Sequence, residues 1–344
     1  MALIKIAIDA AGGDYGYSIV VPAAILAAKM HLDLHVVLVG DESLINKELA
    51  KQQTVSCKDR VSVRHASQVV AMDESPTLAL RLKKDSSMRI AINLIKEKTV
   101  HACVSAGNTG ALMATARFVL KTIPGIDRPA IISALPADSK LGHVYMLDLG
   151  ANIDSDAQIL TQFAVMGSVL VTAVENIAAP RIALLNIGEE EIKGNELVKK
   201  TASILADLPD INYIGYIEGD KIFTDFADVV VCDGFVGNVA LKCLEGEARF
   251  IINKIKTAFT SSFMSKLIGF LSFFVLRKIK KQLNAENYNG ATLVGLNGIV
   301  VKSHGGTSIN GFVKAIEKAM LEAKRNVPEL IGKKVAQILN VPTT

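Results

Sequence analysis

The chain has 344 residues, of which 50% are hydrophobic and 21% are charged, a composition that excludes disordered and fibrous proteins. Its net charge of +4 is too small to indicate nucleic-acid binding. The four cysteines have no paired spacing, so neither a zinc site nor a disulfide framework is expected. The N-terminal apolar stretch ends at Asp9, which is too short for a signal peptide and favours a cytoplasmic location.

Apolar, strand-like runs recur along the chain, each followed by a polar loop and then a stretch with helical periodicity. They lie at residues 5–9, 35–39, 101–105, 145–148, 181–186, 229–233 and 298–303. This alternation predicts an α/β fold of the Rossmann-like kind, a mostly parallel sheet with helices on both faces. No Pro- or Ser-rich linker interrupts the pattern, so we expect one two-lobed unit over residues 1–344.

The loops that follow these runs carry Gly, Asn, Ser and Asp. In parallel sheets ligands bind beyond the carboxyl ends of the strands, where loop amides and helix N-termini meet. We therefore expect the loops to share one cleft that holds phosphate or another part of the substrate. The alternative is that each glycine serves only its own turn. The candidate residues are Asp9, Gly12, Gly13, Ser105, Gly107, Asn108 and Asn152.

Three further residues are candidates for catalysis. Lys193 follows three glutamates in the loop 189–195, and a cation at a helix start is unfavourable unless an anion binds there; the alternative is an ordinary first turn capped by Asn195. We assign Lys193 to phosphate or oxyanion charge and Asn238 to a neutral hydrogen bond on the same centre. His304 lies beside glycine and fits a base, a phosphate donor or a structural histidine equally well.

Several common signatures are missing. The sequence has no phosphate loop of the ATPases, no dinucleotide fingerprint, no zinc-hydrolase motif and no serine-nucleophile elbow. ATP-dependent, zinc-dependent and covalent serine mechanisms are therefore not expected.

The segment 241–289 is predicted to be helical, without a strand. Between residues 248 and 285 it has eight Lys and Arg and no acidic residue, and it contains half of the Phe residues. One helical face gathers Phe263, Leu267, Phe270, Leu271 and Phe274. An apolar stripe beside cations is typical of a helix lying in a membrane interface. The alternative is a buried helical hairpin or a dimer contact. The run 267–276, at ten residues, is too short to span a bilayer.

Several long sequence motifs, in the same order along the chain, resemble those of the bacterial phosphate acyltransferase family of phospholipid synthesis (PlsX type). The resemblance extends over nearly the whole chain. The motifs lie at 9–14, 83–89, 104–113, 124–129, 146–152, 186–196, 231–239 and 301–305. Ala11 stands where the family usually has Met, and Gly306 where a small residue is common.

The resemblance implies transfer of a fatty acyl group from acyl carrier protein to inorganic phosphate, forming acyl phosphate without a cofactor or a metal. It implies a fold similar to phosphotransacetylases and isocitrate-dehydrogenase-like proteins, and a homodimer. The product would pass to a membrane acyltransferase, which fits a peripheral position on the inner face of the cell membrane.

Two other functions remain open on the sequence. A soluble short-acyl phosphotransacetylase would need the same phosphate cleft but neither the apolar stripe nor a protein donor. A membrane-associated scaffold without catalysis would use the helical segment, but it leaves the polar loops unexplained. A nicotinamide-dependent dehydrogenase is less favoured, because no acidic ribose-binding residue follows the first glycine loop.

Overall fold

Eleven strands form the central sheet of the computed structural model, which describes residues 3–52, 55–274, 277 and 285–338. The strands are β1 (Ile4–Asp9), β2 (Leu34–Gly40), β3 (Val61–His65), β4 (Ala102–Ser105), β5 (Ala130–Pro136), β6 (His143–Leu147), β7 (Ile182–Leu185), β8 (Tyr213–Ile217), β9 (Val229–Val231), β10 (Ala291–Val294) and β11 (Ile299–Lys302).

The helices of the described residues mostly follow strands, as the sequence predicts. They are α1 (Tyr17–Met30), α2 (Glu42–Leu49), α3 (Pro76–Leu82), α4 (Ser87–Lys96), α5 (Thr109–Leu120), α6 (Ala157–Glu175), α7 (Glu196–Ala206), α8 (Gly234–Thr260), α9 (Phe263–Leu271), α10 (Ile309–Arg325) and α11 (Val327–Ile338). Short 3-10 turns cover Val55–Arg60, Gly219–Lys221 and Ala285–Tyr288.

The strand order is β3-β2-β1-β4-β11-β10-β5-β6-β9-β7-β8. Most neighbours are parallel, but β10 is antiparallel to both β11 and β5, and β5 is antiparallel to β6. The strands from β6 to β8 therefore run opposite to β1, β4 and β11. The carboxyl ends of these two groups lie at opposite edges of the sheet, so the simple expectation that all seven loops meet at one edge is wrong.

The sheet is covered by helices on both faces, which confirms the predicted α/β class. One face packs residues such as Ala7, Cys103 and Val230 against α4, α5 and the first half of α8. The other face packs against α1 and α10 in one half of the sheet and against α6, α7 and α11 in the other. Alternate residues of each strand point to opposite faces, so these short strands are buried on both sides.

Helix α6 is the one helix of the described residues that is long and apolar enough to cross a membrane. Its 19 residues exceed the ten-residue run 267–276, which is too short to span a bilayer. However, 67% of its most apolar window is buried in the protein, with Phe163 and Leu170 in the core against β6 and β9. Its hydrophobicity is that of a core helix.

The predicted helical segment begins earlier than 241, because α8 runs unbroken from Gly234 to Thr260. Helix α9 then folds back, and Gly269 lies against Phe259 of α8. No residue of α9 is buried, so the alternative of a hairpin buried in the chain's own core is wrong. Almost every residue from 246 to 271 is exposed, so this segment stands clear of the α/β body. Residues 275, 276 and 278–284, including Lys278, Lys280 and Lys281, lie outside the described residues.

Candidate active site

Asp9 and Ser105 form a buried pair at the carboxyl ends of adjacent strands β1 and β4. Ser105 Oγ donates a hydrogen bond of 2.6 Å to Asp9 Oδ2, and the Gly107 amide donates one of 3.0 Å to Ser105 Oγ. Asp9 is 1% exposed, and its Oδ1 has no hydrogen-bond partner in the described part of the chain. Burial raises the pKa of the Asp9 carboxyl, although hydrogen bonds from Ser105 and Ser87 oppose this shift.

The glycines around this pair allow three loops to approach closely. A Cβ at Gly12 would lie 2.7 Å from Asp9 Oδ2 and 2.8 Å from the Gly107 nitrogen, and one at Gly13 would lie 2.9 Å from the Gly305 carbonyl oxygen. The Asp14 amide also donates to that carbonyl, at 3.0 Å. The structure thus brings five predicted residues together around Asp9, beside the loop after β11; they are Asp9, Gly12, Gly13, Ser105 and Gly107.

Asn108 and Asn152 have structural contacts that the sequence analysis did not predict. Asn108 caps α5 by accepting a 2.9 Å hydrogen bond from the Ala111 amide, while its Nδ2 donates to carbonyls of Met72 and Glu74. Asn152 is buried, and its Nδ2 donates to the Pro129 carbonyl at 2.8 Å and to Asp148 Oδ2 at 3.0 Å. Both side chains hold loops in place.

A second loop cluster lies at the opposite edge of the sheet, where β6 and β9 end. Asp148 accepts hydrogen bonds from the amides of Ile131, Ala151 and Asn152, at 2.7–3.0 Å. Burial raises the pKa of this carboxyl, against those hydrogen bonds. The Gly234 amide donates to the Asn152 carbonyl at 2.8 Å, which places the first turn of α8, with the exposed Asn238, over this loop.

Helix α8 begins at the second cluster and carries a lysine whose charge acts on the first. Asn238 and Lys242 are one turn apart and share a face of α8. Lys242 lies near enough to Lys302, at the end of β11, for its charge to lower the pKa of that amine, while Asp14 and Asp9 raise it. Burial is the largest influence, and together they bring the pKa of Lys302 to about 8.

Lys193 and His304 are both exposed. Lys193 lies in the loop after β7, at the same edge as Asn238, and Asn186 Nδ2 holds that loop by donating to the carbonyls of Gly188 and Lys193. His304 follows Lys302; its backbone amide donates to Asn289 Oδ1 and its Nδ1 accepts from the Gly306 amide. Both side chains stay candidates for substrate contact, and no described contact joins Lys193 to Asn238.

Three residues near the two clusters are absent from the candidates predicted from the sequence; they are Asp148, Lys242 and Lys302. Asp148 follows a strand directly and precedes a Gly-Ala-Asn turn, the same signal that identified Asp9. Lys242 carried a weaker signal, four residues after Asn238 on a predicted helix. Lys302 ends the apolar strand Ile299–Lys302, and only the structure shows that its ammonium group is buried.

Residues 4–330 match the family model described as "Fatty acid synthesis protein". A protein of Legionella pneumophila (strain Corby) named phosphate acyltransferase is 55% identical over 340 residues, covering 99% of this chain and 98% of its own. The chain belongs to this family. One of Coxiella burnetii (strain Dugway 5J108-111), with the same name, is 54% identical over 337 residues, 98% of each chain. The protein is thus an acyltransferase, and the resemblance read from the sequence is confirmed.

Solved structures agree on the fold. A phosphotransacetylase from Streptococcus pyogenes matches with a TM-score of 0.64 at 18% identity, covering 94% of each chain. A branched-chain phosphotransacylase from Enterococcus faecalis V583 matches with a TM-score of 0.55 at 12% identity, covering 93% of this chain and 99% of that one. At such identities these matches show the fold alone, and they confirm the expected similarity to phosphotransacetylases.

Proposed function

We propose that this protein transfers a fatty acyl group from the thioester of an acyl carrier protein to inorganic phosphate, forming acyl phosphate for phospholipid synthesis. Membership in the phosphate acyltransferase family supports the reaction class. The observation that carries the proposal is Lys302, a lysine at the end of β11 that is 9% exposed and forms no ion pair with a carboxylate of the described residues. Its charge favours an anionic substrate beside it.

The chemistry needs positioning and charge stabilisation rather than an activated nucleophile. Phosphate is already an anion at neutral pH, so it can attack the thioester carbonyl directly once it is oriented. The carbonyl oxygen then becomes an oxyanion. Asn238 would donate a hydrogen bond to it, and Lys193 would stabilise its charge or that of the phosphate. A thioester and an acyl phosphate have similar group-transfer potential, so the reaction requires no ATP.

A cationic surface on α3–α5 supports a protein donor with acidic character. This surface consists of three exposed apolar side chains, Leu78, Leu82 and Phe118, and six cations, which are Arg81, Lys83, Lys84, Arg89, Arg117 and Lys121. None of the six forms an ion pair with a carboxylate in the part of the chain that the structure describes. Exposed apolar residues ringed by unpaired cations suit an acidic partner.

The cationic surface also lies beside the first loop cluster. Pro76 at the start of α3 packs against Gly110 of α5, and Asn108 ties the loop before α3 to the first turn of α5. Arg89 and Lys121 lie 5.1 and 5.0 Å from the Phe118 ring centroid. A carrier bound here would sit within reach of the Asp9 loops.

We further propose that α9 rests on the membrane. Phe263, Phe270 and Leu271 are 83%, 77% and 72% exposed, and Phe274 beyond the helix is 80% exposed. Leu267 is 45% exposed, and Gly269 turns toward α8. An exposed apolar face of this size indicates a surface that is covered in use, and Lys254, Lys256 and Lys266 nearby favour anionic lipid. A homodimer that covers α9 is the competing occupant.

The function is tested with a long-chain acyl carrier protein thioester, phosphate and hydroxylamine, which traps acyl phosphate as hydroxamate. We expect phosphate-dependent hydroxamate from the carrier thioester and much slower formation from acetyl-CoA. The opposite preference would identify a short-acyl phosphotransacetylase. Phosphate-independent release or no release from either substrate would contradict the proposal, and binding of phosphate in calorimetry without turnover would favour the scaffold.

A further inference from the structure

Lys302 is a buried cation that no carboxylate of the described residues contacts. It pairs with Ser105 of β4 and Ala291 of β10 at the centre of the sheet, and the residue is 9% exposed. Its Nζ donates to two backbone carbonyls, those of Ala106 (3.3 Å) and Ser303. An ammonium group has three donors, so one N–H is left without an acceptor among the residues that the structure describes. No acidic side chain of the described residues forms an ion pair with Lys302.

Charged groups from three elements act on this amine. Asp9 at the end of β1 and Asp14 in the following loop favour its charged form, while Lys242 on α8 disfavours it. His304, two residues later, is turned to its own loop by the Gly306 amide. Burial lowers the pKa of Lys302 to about 8, so the amine exchanges a proton near neutral pH, unlike an ordinary lysine. Two backbone carbonyls offset only part of the cost of burying an ammonium group that has no carboxylate partner.

Acyl transfer from a thioester requires a proton at a defined moment. As the phosphate oxygen forms its bond to the carbonyl carbon, the carbon–sulfur bond breaks and sulfur leaves with the electron pair as a thiolate. Hydrogen phosphate also loses its proton when it becomes the acyl phosphate. The reaction balances when the proton lost by the hydrogen phosphate replaces the one given to sulfur.

We propose that Lys302 is the general acid of this reaction, donating the free N–H of its ammonium group to the departing sulfur. The neutral amine then takes up the proton that the attacking hydrogen phosphate releases, which restores the starting state. This proposal rests on the proposed function. A donor with a pKa of about 8 matches an alkyl thiol, whose pKa is about 8.5, and such matching makes proton transfer efficient.

The test compares two leaving groups. Lys302→Met removes the charge and the proton, while Lys302→Arg keeps the charge but holds its proton too firmly to transfer it. On an alkyl thioester, both variants should lose on the order of a hundredfold in kcat. On an aryl thioester of the same acyl chain, whose thiolate leaves without a proton, both should stay close to the parent. Lys47→Met, on the surface of α2, is the matched control.

The parent enzyme gives a second measurement that needs no variant. Lys302 is charged below its pKa and neutral above it, so the ratio of kcat on the alkyl to kcat on the aryl thioester should fall above about pH 8. Taking the ratio removes the ionisation of phosphate, which both substrates share. A ratio that stays flat with pH overturns the proposal even if neither variant folds.

Other outcomes separate the two proposals. Equal losses on both thioesters, or a raised KM for phosphate with unchanged kcat, would make Lys302 a binding or structural residue and overturn the general-acid role. A parent that forms no acyl phosphate from any thioester would instead contradict the proposed function. Unchanged melting temperature in Lys302→Met, with the predicted loss of kcat, supports the general-acid role.

Discussion

Gly237 lies directly against the carbonyl oxygen of Asp148, so closely that a Cβ at this position would be 1.9 Å from that oxygen. A Cβ at Gly234, one turn earlier, would lie 2.6 Å from the Asn152 carbonyl oxygen. The two glycines let the first turn of α8 rest on the loop after β6. This contact fixes the position of Asn238, the next residue on the helix.

Gly237→Ala should therefore move the start of α8 and displace Asn238. We expect the free energy of unfolding to fall by about 1–3 kcal/mol, the usual range for overpacking. We also expect kcat to fall by more than a smaller fraction of folded enzyme would explain. The control is Gly246→Ala on the same helix, where a Cβ meets nothing within 4 Å; this change should be neutral or stabilising. Thermal melts and kcat of both variants check the prediction, and equal behaviour of the two would contradict it.

Lys193→Ala and Asn238→Ala should each lower kcat on the order of a hundredfold, because each removes a donor from the developing oxyanion or the phosphate. Both side chains are exposed, so circular dichroism should be unchanged. Lys200→Ala, an exposed lysine on α7, should leave the rate unaltered. Variants that fold and keep near-parental rates would remove these two residues from the mechanism and direct attention to the loop 105–110.

Reversing charges on the cationic surface should weaken binding of the carrier protein without weakening binding of phosphate. In the triple variant Arg81→Glu, Lys84→Glu and Arg117→Glu, the KM for the carrier thioester should rise about tenfold or more at low salt, with little change in the KM for phosphate. Added salt should raise the parent's KM for the carrier, since it screens the same attraction.

The matched control for this surface reverses three exposed lysines in another region, Lys29, Lys47 and Lys58. It should leave the KM for the carrier unchanged. Equal losses in the two triple variants would mean that net charge, rather than the α3–α5 surface, governs recognition.

Membrane contact is tested by Leu267→Glu combined with Phe270→Glu. Two carboxylates on the apolar face of α9 should reduce binding to anionic vesicles about tenfold or more, while activity in detergent-free solution persists. Leu32→Glu, at a position 78% exposed and remote from α9, should bind vesicles like the parent. If the double variant still binds vesicles but changes from dimer to monomer in light scattering, α9 is a subunit contact.

The buried carboxyl of Glu322 should make the stability of the fold depend on pH. It is fully buried and accepts a hydrogen bond from Thr292 Oγ1 at 2.6 Å, and within the described ranges its Oε2 has no hydrogen-bond partner. Burial raises the pKa of this carboxyl, opposed by the charge of Lys318 and the Thr292 hydrogen bond. The folded state thus holds the proton more tightly than the unfolded chain, and stability falls as pH rises through the folded-state pKa.

Glu322→Gln cannot ionise, so its melting temperature relative to the parent should be higher at pH 8 than at pH 4, below the ordinary glutamate pKa. Differential scanning calorimetry at the two pH values measures this difference. A constant difference, or one that shrinks at pH 8, would mean that Lys318 keeps the buried carboxylate charged at no net cost.

The sequence predicted the α/β class because apolar strands and polar glycine loops alternate with a clear period. It could not predict the reversal of the sheet, since β5 and β10 are short apolar strands whose direction depends on their neighbours. As a result the loop ends fall at two edges, and α8 begins at one of them. Helix α8 was predicted only in part, because Gly234 and Gly237 in its first turn are typical of a loop. Only the structure shows the close contact of Gly237 with Asp148 that requires a glycine there.

Some residues of the candidate site could be predicted from the sequence and others could not. Asp9, Ser105 and their glycines were predicted because small and acidic residues after a strand are an unusual local pattern. Asn108 and Asn152 had the same pattern, but the structure shows their side chains bonded to backbone groups. Lys302 was missed because burial of an ammonium group is a property of three-dimensional packing and leaves no mark in the local sequence.

The most direct test of the central claim is a single turnover with a long-chain acyl carrier protein and phosphate labelled with heavy oxygen, analysed by mass spectrometry. The account predicts acyl phosphate that carries the label from phosphate and forms in equal amount with free carrier thiol. It also predicts that Lys193→Ala and Asn238→Ala each lower the single-turnover rate constant on the order of a hundredfold. Unlabelled free fatty acid, released at the same rate without phosphate, would contradict it.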